Sequence, residues 1–257
     1  MSGRASAVTR TAVLDRLDRV TDPELDRSIV ELEYVERVEV DPPRVSVRMA
    51  LPTAWCSPAF AWMMASDARE ETLALDGVEA VRVELVDHMH EREITEGVNA
   101  DRDFEAVFED ATEGVEAVRA VLDDKARLAR QYRAVEALLD AGVRPAQVAR
   151  LRRRDVTLDA EPDRASVDLD GDALVVFVPR EPLARYVEKA TDAGIAEGPD
   201  DRLFATPDGD PFTVDSFDLV HRRARLARTN MTGQGTVCDG LRRARYGSGG
   251  GVAETDD

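Results

Sequence analysis

The sequence predicts an α+β fold for its first ninety residues, then a helical connector and a second, mostly helical module. Three observations predict it. Over residues 8–90 the hydrophobic period alternates between 3.6 and 2, in the order helix, strand, strand, helix, strand. From Glu91 to Ala141 apolar residues recur every three or four positions. Between Gly142 and Tyr246 further helical runs surround a single obvious strand, ALVVFVP. At 257 residues the chain can bury two cores.

The elements follow in order. Val8, Ala12, Leu14 and Leu17 mark an amphipathic helix that should end near Val20, before the TDPE turn. SIVELEYVERVEV and RVSVRMAL read as two strands of a hairpin around the DPP turn, with Val45, Val47 and Met49 on one face. Ser57 and Pro58 open a helix, Ser at the N-cap and Pro at the first helical position, where a missing N–H costs nothing. That helix runs to Asp76-Gly77, and VEAVRVELVDH supplies a third strand. Phe104, Val107, Phe108, Val115, Val118 and Leu122 keep helical spacing, and LARQYRAVEALLDAG continues it to Gly142. PLARYVEKATDAG and SFDLVHRRARLAR read as two more helices. The module spans 142–246, and the tail 247–257 is flexible by composition.

Composition excludes several functions. A net charge of −18 opposes nucleic-acid binding, which needs a surplus of Lys and Arg on one face. Lys125 and Lys189 are the only lysines among 34 basic residues, and this acid-rich, lysine-poor balance suits a cytoplasm of high salt. Two cysteines cannot build a disulfide framework or a four-thiolate site in one chain, which suggests a reducing, cytoplasmic home. No apolar run approaches a membrane span, and the N-terminus lacks a signal-peptide pattern. The basic runs RLRRRD and HRRARLAR read as solvated helix faces, with a docking patch for an acidic partner as the alternative.

Four places could carry chemistry. Cys56 stands just before a helix N-terminus, whose unpaired N–H groups favour a thiolate, although a cysteine between Trp55 and Phe60 could equally fill a core gap. Asp22 and Glu24 of TDPEL could be a turn and no more. His88 and His90 of DHMH would share a face if the third strand continued through them, and imidazoles so spaced can ligate one metal ion, with Asp87 orienting a ring. Cys238 lies in a distant Cys-Asp-Gly-Leu stretch followed by Arg245-Tyr246-Gly247. No nucleophile with a base, phosphate loop or dinucleotide fingerprint is present, so the chain does not read as an enzyme.

Together, TDPEL, the strand ending in LPT, the Cys56-Ser57-Pro58 turn and GVEAVRVEL resemble the MIP18 family of metal-sulfur cluster assembly factors, which includes SufT-like and PaaD-like proteins. The resemblance covers residues 8–90. It places Asp22, Pro23 and Glu24 on the family's Asp-Pro-Glu motif, Thr53 on its threonine and Cys56 on its cysteine; Ser57 here separates the cysteine from Pro58. Over nearly the whole chain, LPTAWCSPAFAWMMASDARE, VDHMHEREITEGV and the Cys238–Gly247 motif resemble longer homologues associated with soluble di-iron monooxygenase systems. LLDAGVRPAQVARLRRRDV also resembles the first arginine box of tyrosine recombinases, with Arg144 on the arginine, but their His-x-x-Arg is absent, since Ala224 follows His221 at that spacing.

The resemblance implies a non-enzymatic cytoplasmic assembly factor that holds iron or an iron-sulfur cluster transiently on Cys56, because a carrier needs a soft ligand that can let go. Asp22 and Glu24 would flank the sulfur, the C-terminal module would select the client, and Trp55, Phe60 and Trp62 would wall the site. Partners would be a client metalloprotein, such as a di-iron monooxygenase subunit, or other assembly proteins. Cys238 could fold back to share the metal, or a homodimer could bring two Cys56 together. A metal-free adaptor for an oxygenase subunit is the alternative.

Overall fold

A computed structural model describes residues 8–111, 114–169, 171 and 173–247; most of the tail expected to be flexible, 248–257, lies outside the described residues. The chain forms two compact units, Met1–Ala120 with Gly233–Asp257, and Val121–Thr232. The α+β class holds. The division differs from the one expected from sequence, because the first unit takes in the helices after residue 90 and the end of the last helix.

In the first unit, helix α1 (Arg10–Leu17) is capped by Thr9, whose side chain accepts from the Ala12 amide. Two-residue strands β1 (Thr21–Asp22) and β2 (Arg27–Ser28) pair as a tight hairpin. The following segment was expected to begin a long strand at Ser28 but curls instead. Leu32 N donates to Ser28 O (2.9 Å), Tyr34 N to Ile29 O (2.8 Å), and Glu33 takes a φ of 56°, so Ile29, Leu32 and Tyr34 all turn inward.

Strand β3 (Val35–Asp41) pairs antiparallel with β4 (Arg44–Ala50) across the Asp41-Pro42-Pro43 turn. Helix α2 (Pro58–Leu73) is the crossover that a parallel neighbour requires, and it leads to β5 (Ala80–Val86), which runs parallel to β4. The register sets Val45 beside Val81, Val47 beside Val83 and Met49 beside Leu85, one apolar face covered by α2 through Ala61, Met64, Ala65 and Ala68. Ser57 is the N-cap of α2 but its hydroxyl makes no cap bond; Pro58 takes the first helical position as expected.

Helix α3 (Glu91–Asn99) closes the open edge of β5 with side chains. Asn99 accepts from Val83 N (2.9 Å) and donates to Val83 O (2.6 Å), and Thr95 Oγ1 accepts from Leu85 N (3.1 Å), so backbone groups that could template another strand are occupied. The one-turn helix α4 (Phe104–Val107) brings Phe104 edge-on to Trp62 (5.6 Å between centroids). Helix α5 (Val115–Asp140) begins in this unit, where Arg119 forms a bidentate pair with Asp67 (both 2.9 Å).

In the second unit, the one-turn helix α6 (Pro145–Val148) starts at Arg144, whose amide and guanidinium both donate to Gln147 Oε1 (3.1 Å each). A 3-10 turn at Arg153–Asp155 leads into β6 (Val156–Glu161), β7 (Arg164–Leu169) and β8 (Leu174–Pro179), an antiparallel sheet in that order, where the sequence marked one strand. Helix α7 (Arg180–Asp192) packs Leu183, Tyr186 and Val187 into a core with Val156, Val167, Val178 and Phe204. Helix α8 (Phe217–Tyr246) is 30 residues long and continues well past the expected end, through a Gly- and Thr-rich stretch, into the first unit. Among the described residues no helix is long and apolar enough to cross a membrane.

Candidate functional site

The Asp-Pro-Glu segment builds the floor of the site. Asp22 lies at the mouth of the β1–β2 hairpin, and its Oδ1 accepts from the amides of Glu24 (2.9 Å) and Leu25 (3.1 Å), a local bond pattern that short Asp side chains favour. Pro23 stands between them and fixes φ for the turn. The second carboxylate oxygen accepts from the Tyr34 hydroxyl (3.3 Å), and Tyr34 is itself fully buried. Asp22 is only 8% exposed, and burial holds its carboxyl above the ordinary range, with the two amide bonds and the Tyr34 bond opposing that shift.

The Cys56 loop forms one wall. Thr53 Oγ1 accepts from Trp55 N (2.9 Å) and lies 3.8 Å from the Cys56 sulfur, which folds the segment between them into a tight turn. The two histidines serve this loop. Strand β5 ends at Val86, and Asp87 turns the chain with a φ of 56°, so His88 and His90 do not share the strand face that their spacing suggested. His88 Nδ1 accepts from the His90 amide (3.1 Å), which leaves the proton on Nε2, donated to the Cys56 carbonyl (2.9 Å). Both ring nitrogens are thereby occupied. Burial, the largest effect, lowers the His88 pKa and favours this neutral form. His90 meets Phe108 edge-on (5.3 Å), and Met89 N donates to Ala54 O (3.0 Å), tying the two loops together.

Trp55 does not wall the sulfur. It is 76% exposed, while Trp62 is buried against Phe104 and Phe108 and Phe60 is half-buried. The sequence grouped the three by apolarity, yet Trp55 lies in the loop before α2 and projects outward.

The last four turns of α8 supply further contacts. Gln234 donates to the Glu24 carboxylate (3.3 Å), and a methyl group on Gly235 would lie 3.9 Å from Leu25. Arg242 pairs with the Glu33 carboxylate and donates to its carbonyl (2.8 Å). Arg245 donates to Asp87 O (2.7 Å) and the Tyr246 hydroxyl to Leu51 O (3.3 Å). Gln234, Cys238 and Arg242 are spaced four apart and share one helix face, so Cys238 is turned toward the site. Its half-buried thiol is pushed up to about 11, by burial first and then by the charges of Asp22, Cys56 and Glu24. Tyr34 is raised far above its ordinary value by burial and then by Asp22, Cys238 and Cys56. Asp22, Tyr34, Cys56 and Cys238 therefore share one electrostatic neighbourhood. Both cysteines are free thiols.

Residues 10–85, from α1 to the end of β5, match the family described as iron-sulfur cluster assembly protein. An uncharacterized protein of Methanocaldococcus jannaschii is 34% identical over 90 residues, which make up 35% of this chain and 93% of that relative. Through this segment the chain belongs to the iron-sulfur cluster assembly family. The matched segment contains Asp22, Tyr34 and Cys56, whereas Cys238 lies beyond it, so the assembly domain carries one thiol wall of its own and receives the other from α8.

Tyr34 and Gln234 escaped the sequence reading. Tyr34 sits in a run that looks like a strand, and nothing local in the Gly-rich stretch around Gln234 signals a contact with Glu24, 210 residues away. Among the described residues, no group of three or more His, Cys, Asp or Glu stands in ready metal-ligand geometry.

Proposed function

We propose that the assembly domain takes part in cluster assembly as a transient carrier, with Cys56 and Cys238 as the sulfur ligands of an iron or iron-sulfur cargo that is passed to a client metalloprotein. The return of Cys238 to the Cys56 site carries this reading. Two soft sulfur ligands suit iron and its clusters, and both can come from one chain without a homodimer. His88, whose two ring nitrogens are engaged by the Cys56 carbonyl and the His90 amide, acts as a brace that positions the Cys56 loop. The Asp87 carbonyl accepts from Arg245, which ties the end of α8 to the same loop.

The mouth of the site suits a protein partner. Trp55 and Met89 are exposed on the two tied loops, and Val237 and Leu241 are exposed beside Cys238 on the helix. Large exposed apolar side chains around a chemical centre are the composition of an interface core. We take the client to be an oxygenase, such as a di-iron monooxygenase subunit, with the second unit contributing to its selection in the cytoplasm.

Anaerobic loading with ferrous iron and sulfide tests the reading. Cys56→Ala and Cys238→Ala should each lower cargo affinity by about tenfold or more, while Trp55→Ala should leave loading intact and weaken client capture. Full loading of both cysteine variants would sink the carrier, and cysteine-independent client capture would then identify the metal-free adaptor.

A further inference from the structure

The basic run HRRARLAR lies in the first four turns of α8, which belong to the second unit. Phe217, Val220, Ala224 and Met231 turn inward there and are buried. On the opposite side of the helix Leu219 is 50% exposed and Leu226 63%, with exposed Arg222 and Arg223 between them. Spacings of three, four and seven residues put these four side chains on one face, and Arg225 is exposed on its flank. Arg222 donates to the carbonyl of Asp218 in its own helix (3.1 Å), and neither Arg223 nor Arg225 makes an ion pair or hydrogen bond among the described residues. Arginines elsewhere are taken up by the surplus of carboxylates, as Arg119 is by Asp67 and Arg133 by Glu181. Residues 217–232 instead hold four arginines and one acid, Asp218.

We propose that this face of α8 is a docking surface for an amphipathic helix of another protein, one whose apolar seam is flanked by Asp and Glu. Charge and apolarity together select that occupant. Leu219 and Leu226 stand two turns apart, the spacing at which one helix buries its seam against another. Carboxylates beside the partner's seam reach Arg222 and Arg223, whose planar forks bind a carboxylate through two parallel bonds, and Arg225 adds charge of the same sign. A nucleic acid would satisfy the arginines but leave both leucines in water, and the net charge of −18 repels it. A second copy of the same face would set arginines against arginines. The exposed leucines do not hold the second unit together, since its core takes Phe217 and Val220 from the other side of the helix. None of these residues lies in the matched segment 10–85 and no sulfur is involved, so docking here is independent of the carrier reading.

The probes are fluorescein-labelled peptides of equal length: a heptad repeat of leucine and glutamate, the same repeat with lysine for glutamate, and glutamate alone. Fluorescence anisotropy reads their binding to the full chain. The leucine–glutamate peptide should bind at least about tenfold more tightly than either of the others. Leu226→Glu, and Arg222→Glu combined with Arg223→Glu, should each weaken it by about tenfold or more. Leu174→Glu, at a comparably exposed leucine on β8, should leave it unchanged. All of these positions are exposed, and unaltered melting curves check that the variants stay folded. Equal affinity for the glutamate-only peptide would reduce the face to a charge patch, and binding that survives Leu226→Glu, or no binding at all, would remove the docking surface. Tighter binding of a DNA duplex that the double arginine variant abolishes would make nucleic acid the occupant. A dimer of the chain that Leu226→Glu dissociates would make it a second copy, and each of these outcomes overturns the proposal.

Discussion

Asp22 is the residue whose environment is least explained by stability. Its carboxylate is nearly buried, and it is held there by two amides and a tyrosine hydroxyl, with no cation paired to it among the described residues. Burial raises its pKa, so the folded state binds its proton more tightly than the unfolded state does. Stability from this group is therefore full at acid pH and falls as pH rises from the ordinary carboxylate range through the raised folded value. Asp22→Asn keeps an oxygen for the two amides and removes the charge. It should raise the denaturant midpoint at neutral pH, with the gain vanishing below about pH 4. Asp22→Ala strands two amides and the Tyr34 hydroxyl and should cost about 1–3 kcal/mol. An Asn variant less stable than wild type at neutral pH would show that the charge itself holds the hairpin. The motif was visible in the sequence, but its burial was not, because Asp-Pro is a common exposed turn and only Tyr34, twelve residues on, encloses it.

At the scale of elements, the contact of α2 with α3 sets how the site loops are carried. Gly97 lies where a methyl group would come within 2.6 Å of a Trp62 ring carbon and 3.1 Å of Val107. The ring cannot retreat, because Phe104 and Phe108 pack edge-on against it. Gly97→Ala should therefore lower stability by about 1–3 kcal/mol through overpacking, despite the better helix propensity of alanine. Combining it with Trp62→Phe should recover part of the loss in a double-mutant cycle; strictly additive losses would exclude the steric cause. The elements around this contact were legible because α1 and the strands of the β3–β4–β5 sheet show their periods, and α2 has a Ser-Pro start and an Asp-Gly stop. Strands β6 and β7 were not, since VTLDAE and RASVDL carry charged residues on their outer faces and too few apolar ones to outweigh the neighbouring helical pattern. The length of α8 was hidden for a related reason: three glycines and three threonines lower its propensity, and contacts such as Gln234–Glu24 and Tyr246–Leu51 with distant segments hold it in place. Cys238 could thus be named from sequence as a candidate, while the contacts that the helix around it makes with Glu24 and Glu33 depended on how far that helix runs.

For the whole molecule, the net charge of −18 sets a condition on stability. Many of the ion pairs are exposed on both sides, such as Arg37–Glu39 and Arg48–Glu84, and pairs of that kind contribute little in water. The 52 acids outnumber the 34 basic residues, so the unbalanced acids repel one another in the folded state more than in the expanded chain. Salt acts on both effects. Screening shortens from about 10 Å at 0.1 M to about 3 Å at 1 M, which weakens repulsion between separated acids more than attraction between groups in contact. The partly buried groups, including Arg119–Asp67 and Arg127 on the Thr206 and Pro207 carbonyls, are screened least and should persist. The melting temperature should accordingly rise by roughly 5–10 °C between dilute buffer and molar KCl, the size expected for a few kcal/mol in a chain of this length. A neutral osmolyte at matched water activity should give a smaller rise, which separates charge screening from general exclusion of solute. A melting temperature that stays level or falls as KCl is added would mean that the acids are already balanced locally by their arginine partners, and that the composition reflects something other than a salt-rich environment.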